Sequence, residues 1–201
     1  IFIVTDNQTP NFLIDIEAAK QKYPNVFIID HKMIFEGHHQ YLPTFNSMSI
    51  ESLLYKIPSL SECFIYLNDD FFLTRETQIS NFFVDGKPVI RGKWTSFYED
   101  IWYKKIQYFI YNLIGEEEKS NAFGFKKSQQ LIAKNIGFKK YVRLDHTITS
   151  LRKSTFNTYY QENKKMLDNN IKHRFRHSNQ YLPQSLANHL EIKNNTFVLQ
   201  N

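Results

Sequence analysis

The tripeptide Asn68-Asp69-Asp70 follows directly on the apolar run Cys63-Phe64-Ile65-Tyr66-Leu67. Two adjacent carboxylates at a strand end can hold a hard divalent cation through oxygen. Such a cation bridges the phosphates of a nucleotide-sugar and neutralises charge on the leaving group. A turn in which one Asp caps and the other is solvated gives the same pair, so the preceding strand is what lends it weight. His31, in Ile29-Asp30-His31-Lys32, stands beside an acid at another strand end and suits a general base. His146, in Asp145-His146-Thr147, repeats the arrangement. Either imidazole can deprotonate an acceptor hydroxyl or, when charged, orient a phosphate; a loop histidine with neither role is the commoner case. His38 and His39, in a Gly-containing loop, read as surface or substrate-edge residues. Asn46 and Ser47 suit a helix N-cap. Glu51 lies one residue too far from Ser47 for a capping box, which leaves its carboxylate for another task or for water. The helix start there also offers N–H groups to a phosphate or hydroxyl. Arg152-Lys153 and His173-Arg174-Phe175-Arg176 supply guanidinium forks that match phosphate oxygens. Arg174 and Arg176, spaced by one Phe, are expected on one strand face. A solvated basic surface is the alternative for each.

The elements that must position these groups come from the apolar pattern. Ile1–Val4, Val26–Ile29 and Cys63–Leu67 are continuous β-branched or aromatic runs. Runs that do not alternate are those of strands buried on both faces, as in a parallel sheet. Residues 11–23 fit a helix between the first two runs, ended by Pro24-Asn25, and residues 47–55 fit a shorter one before the third. The order β-α-β-α-β predicts an α/β fold: a Rossmann-like, mostly parallel sheet with flanking helices and a helical C-terminal part. Each strand ends in a polar cluster: Thr5-Asp6-Asn7, Asp30-His31-Lys32 and Asn68-Asp69-Asp70. Ligands of parallel α/β sheets bind beyond the carboxyl ends of the strands, so the three clusters are expected to converge on one pocket. That makes Asp6 and Asn7 candidates for substrate binding. Asp85-Gly86 is a hairpin signal between residues 82–84 and 87–91. Further helices are expected over 98–114, 128–135 and 151–168, with a charged break at Gly115–Glu118. The expected organisation is one catalytic domain over 1–201. Residues 1–95 form its α/β core, and 96–201 form a mainly helical part that completes the site.

The chain has 201 residues, 42% of them hydrophobic and 16% aromatic, enough for a sizeable core and too many for general disorder. Its net charge of +5 favours an anionic partner. Composition alone leaves that partner open between a nucleotide, a phosphorylated polymer, nucleic acid and an anionic membrane surface. The single cysteine, Cys63, excludes an intrachain disulfide and a Cys-rich zinc site, and its apolar setting suggests a buried, inert thiol. A reducing compartment fits. No apolar stretch reaches the ~18 residues of a membrane span, and none reads as a secretory signal. The chain opens on Ile rather than Met, directly in an apolar run, so the expectation is a piece of a longer chain.

Ile3-Val4-Thr5-Asp6-Asn7-Gln8-Thr9-Pro10, Asp30-His31-Lys32, Leu42-Pro43-Thr44-Phe45-Asn46-Ser47, Ile50-Glu51 and the run from Ile57 to Asp70 closely resemble the second conserved region of the Stealth family. That family contains bacterial capsular polysaccharide phosphotransferases and the animal N-acetylglucosamine-1-phosphotransferase. Asp145-His146-Thr147 with Leu151-Arg152-Lys153-Ser154 looks like its third region, and His173-Arg174-Phe175-Arg176 like its short fourth. The resemblance implies transfer of hexose-1-phosphate from a UDP-sugar to a hydroxyl of a growing capsular polysaccharide, releasing UMP and forming a phosphodiester. It implies Mg2+ or Mn2+, held by Asp69 and Asp70, and His31 or His146 as base. Asp6, Asn7, Asn46, Ser47, Glu51, Lys56, Asn68, Arg152, Lys153, Arg174 and Arg176 become candidates for substrate binding. It further implies a cytoplasmic protein at the inner face of the membrane, peripheral to capsule machinery, with no nucleic-acid partner. Two departures stand out. The family's acidic, Trp-bearing first region is absent, and Lys56 stands where the family often has Arg, keeping the charge without the fork. The competing expectations are a metal-dependent glycosyltransferase that releases UDP and a non-catalytic carbohydrate- or phosphate-binding fragment.

Overall fold

A computed structural model describes residues 1–102, 106, 110 and 124–200. Strands β1 (Phe2–Thr5) and β2 (Phe27–Asp30) pair in parallel, with Phe2 opposite Phe27 and Thr5 opposite Asp30. Between them run a 3-10 turn, Asn11–Leu13, and helix α1 (Ile16–Lys22). The Asp15 carboxylate caps α1 by accepting from the Ala18 N–H at 3.1 Å. Helix α2 (His31–Ile34) starts at the very end of β2, capped by Asp30. Helix α3 (Ser47–Glu51) and a 3-10 turn at Leu54–Lys56 lead to β3 (Cys63–Tyr66). Strands β4 (Phe83–Val84) and β5 (Lys87–Thr95) form the expected hairpin. Its turn residues Asp85 and Gly86 have φ of 50° and 72°, a pair of left-handed values that Asp-Gly accommodates.

The second half supplies α4 (Phe125–Asn135), β6 (Tyr141–Leu144), β7 (Thr149–Arg152), α5 (Lys153–Glu162), α6 (Lys164–Ile171), α7 (Pro183–Lys193) and β8 (Val198–Gln200). The expected helix over 151–168 is therefore a strand and two helices that meet at Asn163. Of the helix expected over 98–114, Tyr98–Asp100 is a 3-10 turn. Most of the remainder, with the break at 115–118, lies outside the described residues.

The fold is mixed α/β, but among the described residues the strands do not form a Rossmann-like parallel sheet. β3 runs antiparallel to β7, with Cys63 opposite Arg152 and Tyr66 opposite Thr149. β5 is antiparallel to β4 and β6 and parallel to β8. The apolar run of β3 marks a strand correctly, yet says nothing about the direction of its neighbour. That neighbour, Thr149-Ser150-Leu151-Arg152, lacks an apolar run of its own and comes from the second half of the chain.

The main core packs Ile34 of α2 and Phe35 just after it with Leu53, Ile132 of α4, Ile171 of α6 and Leu186 of α7. A second cluster joins Met48 of α3 to Ile90, Val142, Leu144 and Leu182. α3 is thus held between two apolar clusters, which fixes the Glu51 at its end. Among the described residues no helix is long and apolar enough to cross a membrane.

Candidate active site

Alternation along a strand puts Tyr66 and Asn68 on the same side. There they meet α3, the β6–β7 loop and the bend between α6 and α7. The four segments enclose a cleft of about 250 Å³ lined by Ser47, Glu51, Tyr66, Asn68, His146 and Arg176 among others. The floor is Glu51, only 8% exposed. Its Oε1 lies 2.8 Å from the Tyr66 hydroxyl, and its Oε2 accepts from the Gln184 side-chain amide at 3.0 Å. Burial pushes the Glu51 carboxyl up; the hydrogen bonds from Tyr66 and Gln184 and the Arg176 charge oppose that rise. The Tyr66 hydroxyl also meets Asn68 Oδ1. Burial, and then the negative charges of Glu51, Asp69 and Asp70, push this phenol far above its ordinary value. The Asn68 amide nitrogen in turn lies 3.1 Å from His146 Nε2. Phe71 and Phe125 meet the imidazole edge to face, with centroids at 4.9 and 5.5 Å.

A continuous chain, Glu51–Tyr66–Asn68–His146, results. A phenol has one proton to give, and this constrains the whole chain. If Tyr66 donates to Asn68 Oδ1, Glu51 must be protonated to donate to Tyr66, and the Asn68 N–H occupies His146 Nε2. If Glu51 is ionised, Tyr66 donates to it and the Asn68 amide turns over. Its nitrogen then donates to Tyr66 and its oxygen accepts from His146 Nε2–H, leaving Nδ1 with a lone pair. The charge on Glu51 therefore decides whether Nδ1 has a free lone pair or carries the ring proton.

The turn after β3 places the carboxylates. The Phe71 N–H closes it on the Asn68 carbonyl at 3.2 Å, and Asp69 and Asp70 stand exposed at its apex. Among the described residues no group of three or more His, Cys, Asp or Glu gathers into a protein-only metal cage. Two carboxylates are nonetheless the donor set that Mg2+ uses when substrate phosphates and water complete its shell. The residues fit a cation shared with a nucleotide. Arg176, which lines the cleft, donates to Ser47 Oγ at 3.2 Å.

The other candidates are placed elsewhere. Asp6, Asn7, Asp30 and His31 cluster at the ends of β1 and β2. Asn7, in a left-handed conformation with φ 54°, donates its N–H to Asp30 Oδ2 at 2.9 Å. His31 does not line the cleft; it is 7% exposed, and its Nδ1 is buried without a hydrogen-bond partner among the described residues. Burial lowers its pKa, against the charges of Asp6 and Asp30. The first two polar strand ends thus meet each other, whereas the third meets the second half of the chain. Lys56 donates to the Glu36 carbonyl at 2.6 Å. Arg152 pairs with Glu62 at 3.2 Å and Glu191 at 3.3 Å, and Lys153 opens α5 beside it. Burial raises the Glu62 carboxyl, but hydrogen bonds from Ser154 and Arg152 outweigh it and hold the group below its ordinary value. Asn46 occupies the N-cap position of α3 without capping it. Its amide nitrogen instead points to the carbonyls of His173 and Phe175 and to Gln180 Oε1. Arg174 and Arg176 sit on an irregular bend rather than a strand, Arg174 over the Phe45 ring.

Tyr66 and Gln184 escaped the sequence analysis. Tyr66 carried a usable signal, since it lies two residues before Asn68. Gln184 carried none: it is a buried amide in the first turn of a helix without clear apolar spacing.

Residues 1–90 match the model described as Stealth protein CR2, conserved region 2. The chain is 51% identical over 83 residues to the capsular polysaccharide phosphotransferase cps1A of Actinobacillus pleuropneumoniae, covering 41% of this chain and 21% of that protein. It is 52% identical over 83 residues to the capsular polysaccharide phosphotransferase LcbA of Neisseria meningitidis, again 41% and 21% of the two chains. To the exopolysaccharide phosphotransferase cps2G of Lactiplantibacillus plantarum it is 46% identical over 89 residues, 44% of this chain and 24% of the other. The chain thus spans about a fifth to a quarter of the length of these relatives. Glu51, Asn68, Asp69 and Asp70 fall inside the matched stretch; His146 and Arg176 fall beyond it.

Proposed function

We propose, from the premise that this chain belongs to the Stealth family through residues 1–90, that it transfers hexose-1-phosphate from a UDP-sugar to a hydroxyl of a growing capsular polysaccharide. The observation that carries this is the joining of Glu51, Tyr66 and Asn68 to His146 in one cleft, with Arg176 on its wall and two exposed carboxylates on the turn between Asn68 and Phe71. The names of the relatives, capsular and exopolysaccharide phosphotransferases, support the reaction class.

In the reaction, the acceptor hydroxyl oxygen attacks the β-phosphorus of the donor. Its proton passes to His146 Nδ1, the nitrogen left basic when Glu51 is ionised and Asn68 accepts from Nε2–H. The bond from the β-phosphorus to the bridging oxygen breaks, and UMP leaves with that oxygen and its electron pair. The product is a phosphodiester between the sugar C1 oxygen and the acceptor. Asp69 and Asp70 would hold Mg2+ or Mn2+, which when bound neutralises charge on the pyrophosphate. Arg176 faces the transferred phosphoryl group and offsets the charge that builds on it. Phe71 and Phe125 pack at near right angles to the imidazole and hold its plane. Ion-paired Arg152 braces β7 behind the site. The proposed place of action is the inner face of the membrane beside the capsule machinery.

The leaving nucleotide tests the proposal. Incubation with UDP-hexoses and an oligosaccharide acceptor is expected to release UMP. Accumulation of UDP in its place would identify a glycosyltransferase and overturn the reading.

A further inference from the structure

Phe45 and Phe175 are 62% and 65% exposed. Their rings are nearly parallel, 19° apart, with centroids at 5.7 Å, and the Arg174 guanidinium lies 5.3 Å from the Phe45 centroid. The backbone beneath them is firmly held. The Phe45 N–H donates to the Arg174 carbonyl at 2.9 Å. The fully buried Asn46 ties down the carbonyls of His173 and Phe175, each at 3.0 Å. Ser49 Oγ adds a bond to the His173 carbonyl at 3.2 Å. Two large rings kept in water by a buried polar seam form a built surface rather than a frayed loop. The surface also runs into the cleft. Ser47, two residues past Phe45, and Arg176, next to Phe175, both line the cleft and bond to each other.

We propose that Phe45, Phe175 and Arg174 form an acceptor subsite, in which a sugar ring of the growing glycan stacks on the two phenyl rings and Arg174 pairs with a phosphodiester already in the chain. The inference rests on the transfer proposed above, since a polymer made that way repeats a hexose ring and a phosphodiester within a few bonds of the next hydroxyl. The axial C–H face of a pyranose matches an open aromatic surface, and a guanidinium fork matches the phosphodiester oxygens. A uracil base fits less well. It needs a slot with polar groups for its edge, and here the amide nearest the rings, Asn46, turns its nitrogen inward to three acceptors.

The test uses saturation-transfer NMR on the intact chain, with phosphodiester-linked and neutral O-linked trisaccharides of glucose and of N-acetylglucosamine as probes. Saturation is expected on sugar-ring protons of the linked probes. Phe45→Ala and Phe175→Ala are each expected to weaken binding by about tenfold, the scale of one lost ring contact, and Phe45→Trp to restore it. Arg174→Gln should weaken only the phosphodiester-linked probes. Binding of UDP, followed by its 31P signals, should not change in the two alanine variants. Failure of every probe to bind the wild type, or full binding in both alanine variants, overturns the subsite. Weakened UDP binding in those variants also overturns it, in favour of the donor base. If glycan binding depends on the two rings but UMP never forms, the subsite stands and the transfer fails. If UMP forms while the rings prove irrelevant to glycan binding, the transfer stands and the subsite fails.

Discussion

At the scale of the residue, the site turns on where one proton sits. Glu51 is buried and its carboxyl is raised, so the folded chain holds that proton more tightly than the unfolded chain does. By linkage, stability is fully present below the ordinary glutamate range and falls as pH rises through the raised value. Glu51→Gln carries no such penalty at any pH. The variant should match the wild type in thermal unfolding at about pH 4 and exceed it at about pH 8, where the unfolded wild type ionises Glu51 freely and the folded one must either keep the proton or bury the charge. An equal response of both proteins to pH would show that Glu51 ionises freely. Tyr66 gives a separate test. Tyr66→Phe leaves the ring packed but cuts the chain between Glu51 and Asn68. It should lower turnover by on the order of a hundredfold, as expected when a base loses its orientation. Circular dichroism and UDP binding should stay as in the wild type. Much of this was legible in the sequence: Glu51 stood out because it could not close a capping box, and Asn68 because it followed an apolar strand. His146 and His31 stood out equally, each as an Asp-His pair. Only three-dimensional placement separates them, since one imidazole is buried in the first turn of α2 and the other lines the cleft.

At the scale of the element, the strands that announce themselves are those with apolar runs. β1, β2 and β3 were readable within a residue or two, as was the Asp85-Gly86 turn. β7 was not, because Ser150 and Arg152 make it look like the start of a helix. Its strand character comes from pairing with β3, a contact between residues about ninety positions apart in sequence. α7 was hidden for a related reason. It is buried nearly all round, with Gln184, Ser185, Asn188, His189 and Glu191 inside, so no apolar stripe marks it. The approach of β5 to β6 shows how tightly such elements hold the site. A Cβ on Gly92 would lie 2.7 Å from the Arg143 carbonyl oxygen and 2.7 Å from Val142 Cγ1. Backbone cannot give way as a flexible side chain can. Gly92→Ala is therefore expected to destabilise the fold by about 1–3 kcal/mol in urea unfolding, the usual range for overpacking. β6 runs straight into Asp145-His146, so residual turnover in the folded variant should fall as well. A variant as stable and active as the wild type would mean that β5 and β6 can separate at little cost.

At the scale of the whole molecule, charge and the division of the site along the chain act together. The stretch shared with the Stealth region supplies Glu51, Asn68 and the exposed carboxylates, and the rest supplies His146, Arg176 and Gln184. The cleft therefore forms only when both halves of the chain are folded against each other through β3 and β7. The net charge of +5 attracts anionic solutes such as the proposed nucleotide donor and repels a free divalent cation. Locally, the described residues offer the cation two exposed carboxylates and no third protein ligand from a cluster. Both facts predict that the cation binds weakly alone and well only alongside a diphosphate. By reciprocity the cation must then strengthen nucleotide binding by the same factor. Titration of Mn2+, read by water-proton relaxation, should show at least about tenfold tighter binding in the presence of UDP, a coupling of about 1.4 kcal/mol. Asp69→Asn and Asp70→Asn should each reduce that coupling, while Asp6→Asn, at the separate cluster on β1, should leave it intact. Raising ionic strength should slow UDP association in the wild type, because long-range attraction is screened. Mn2+ binding of equal strength with and without UDP would instead require a closed protein cage, and the shared-cation site at Asp69 and Asp70 would have to be abandoned.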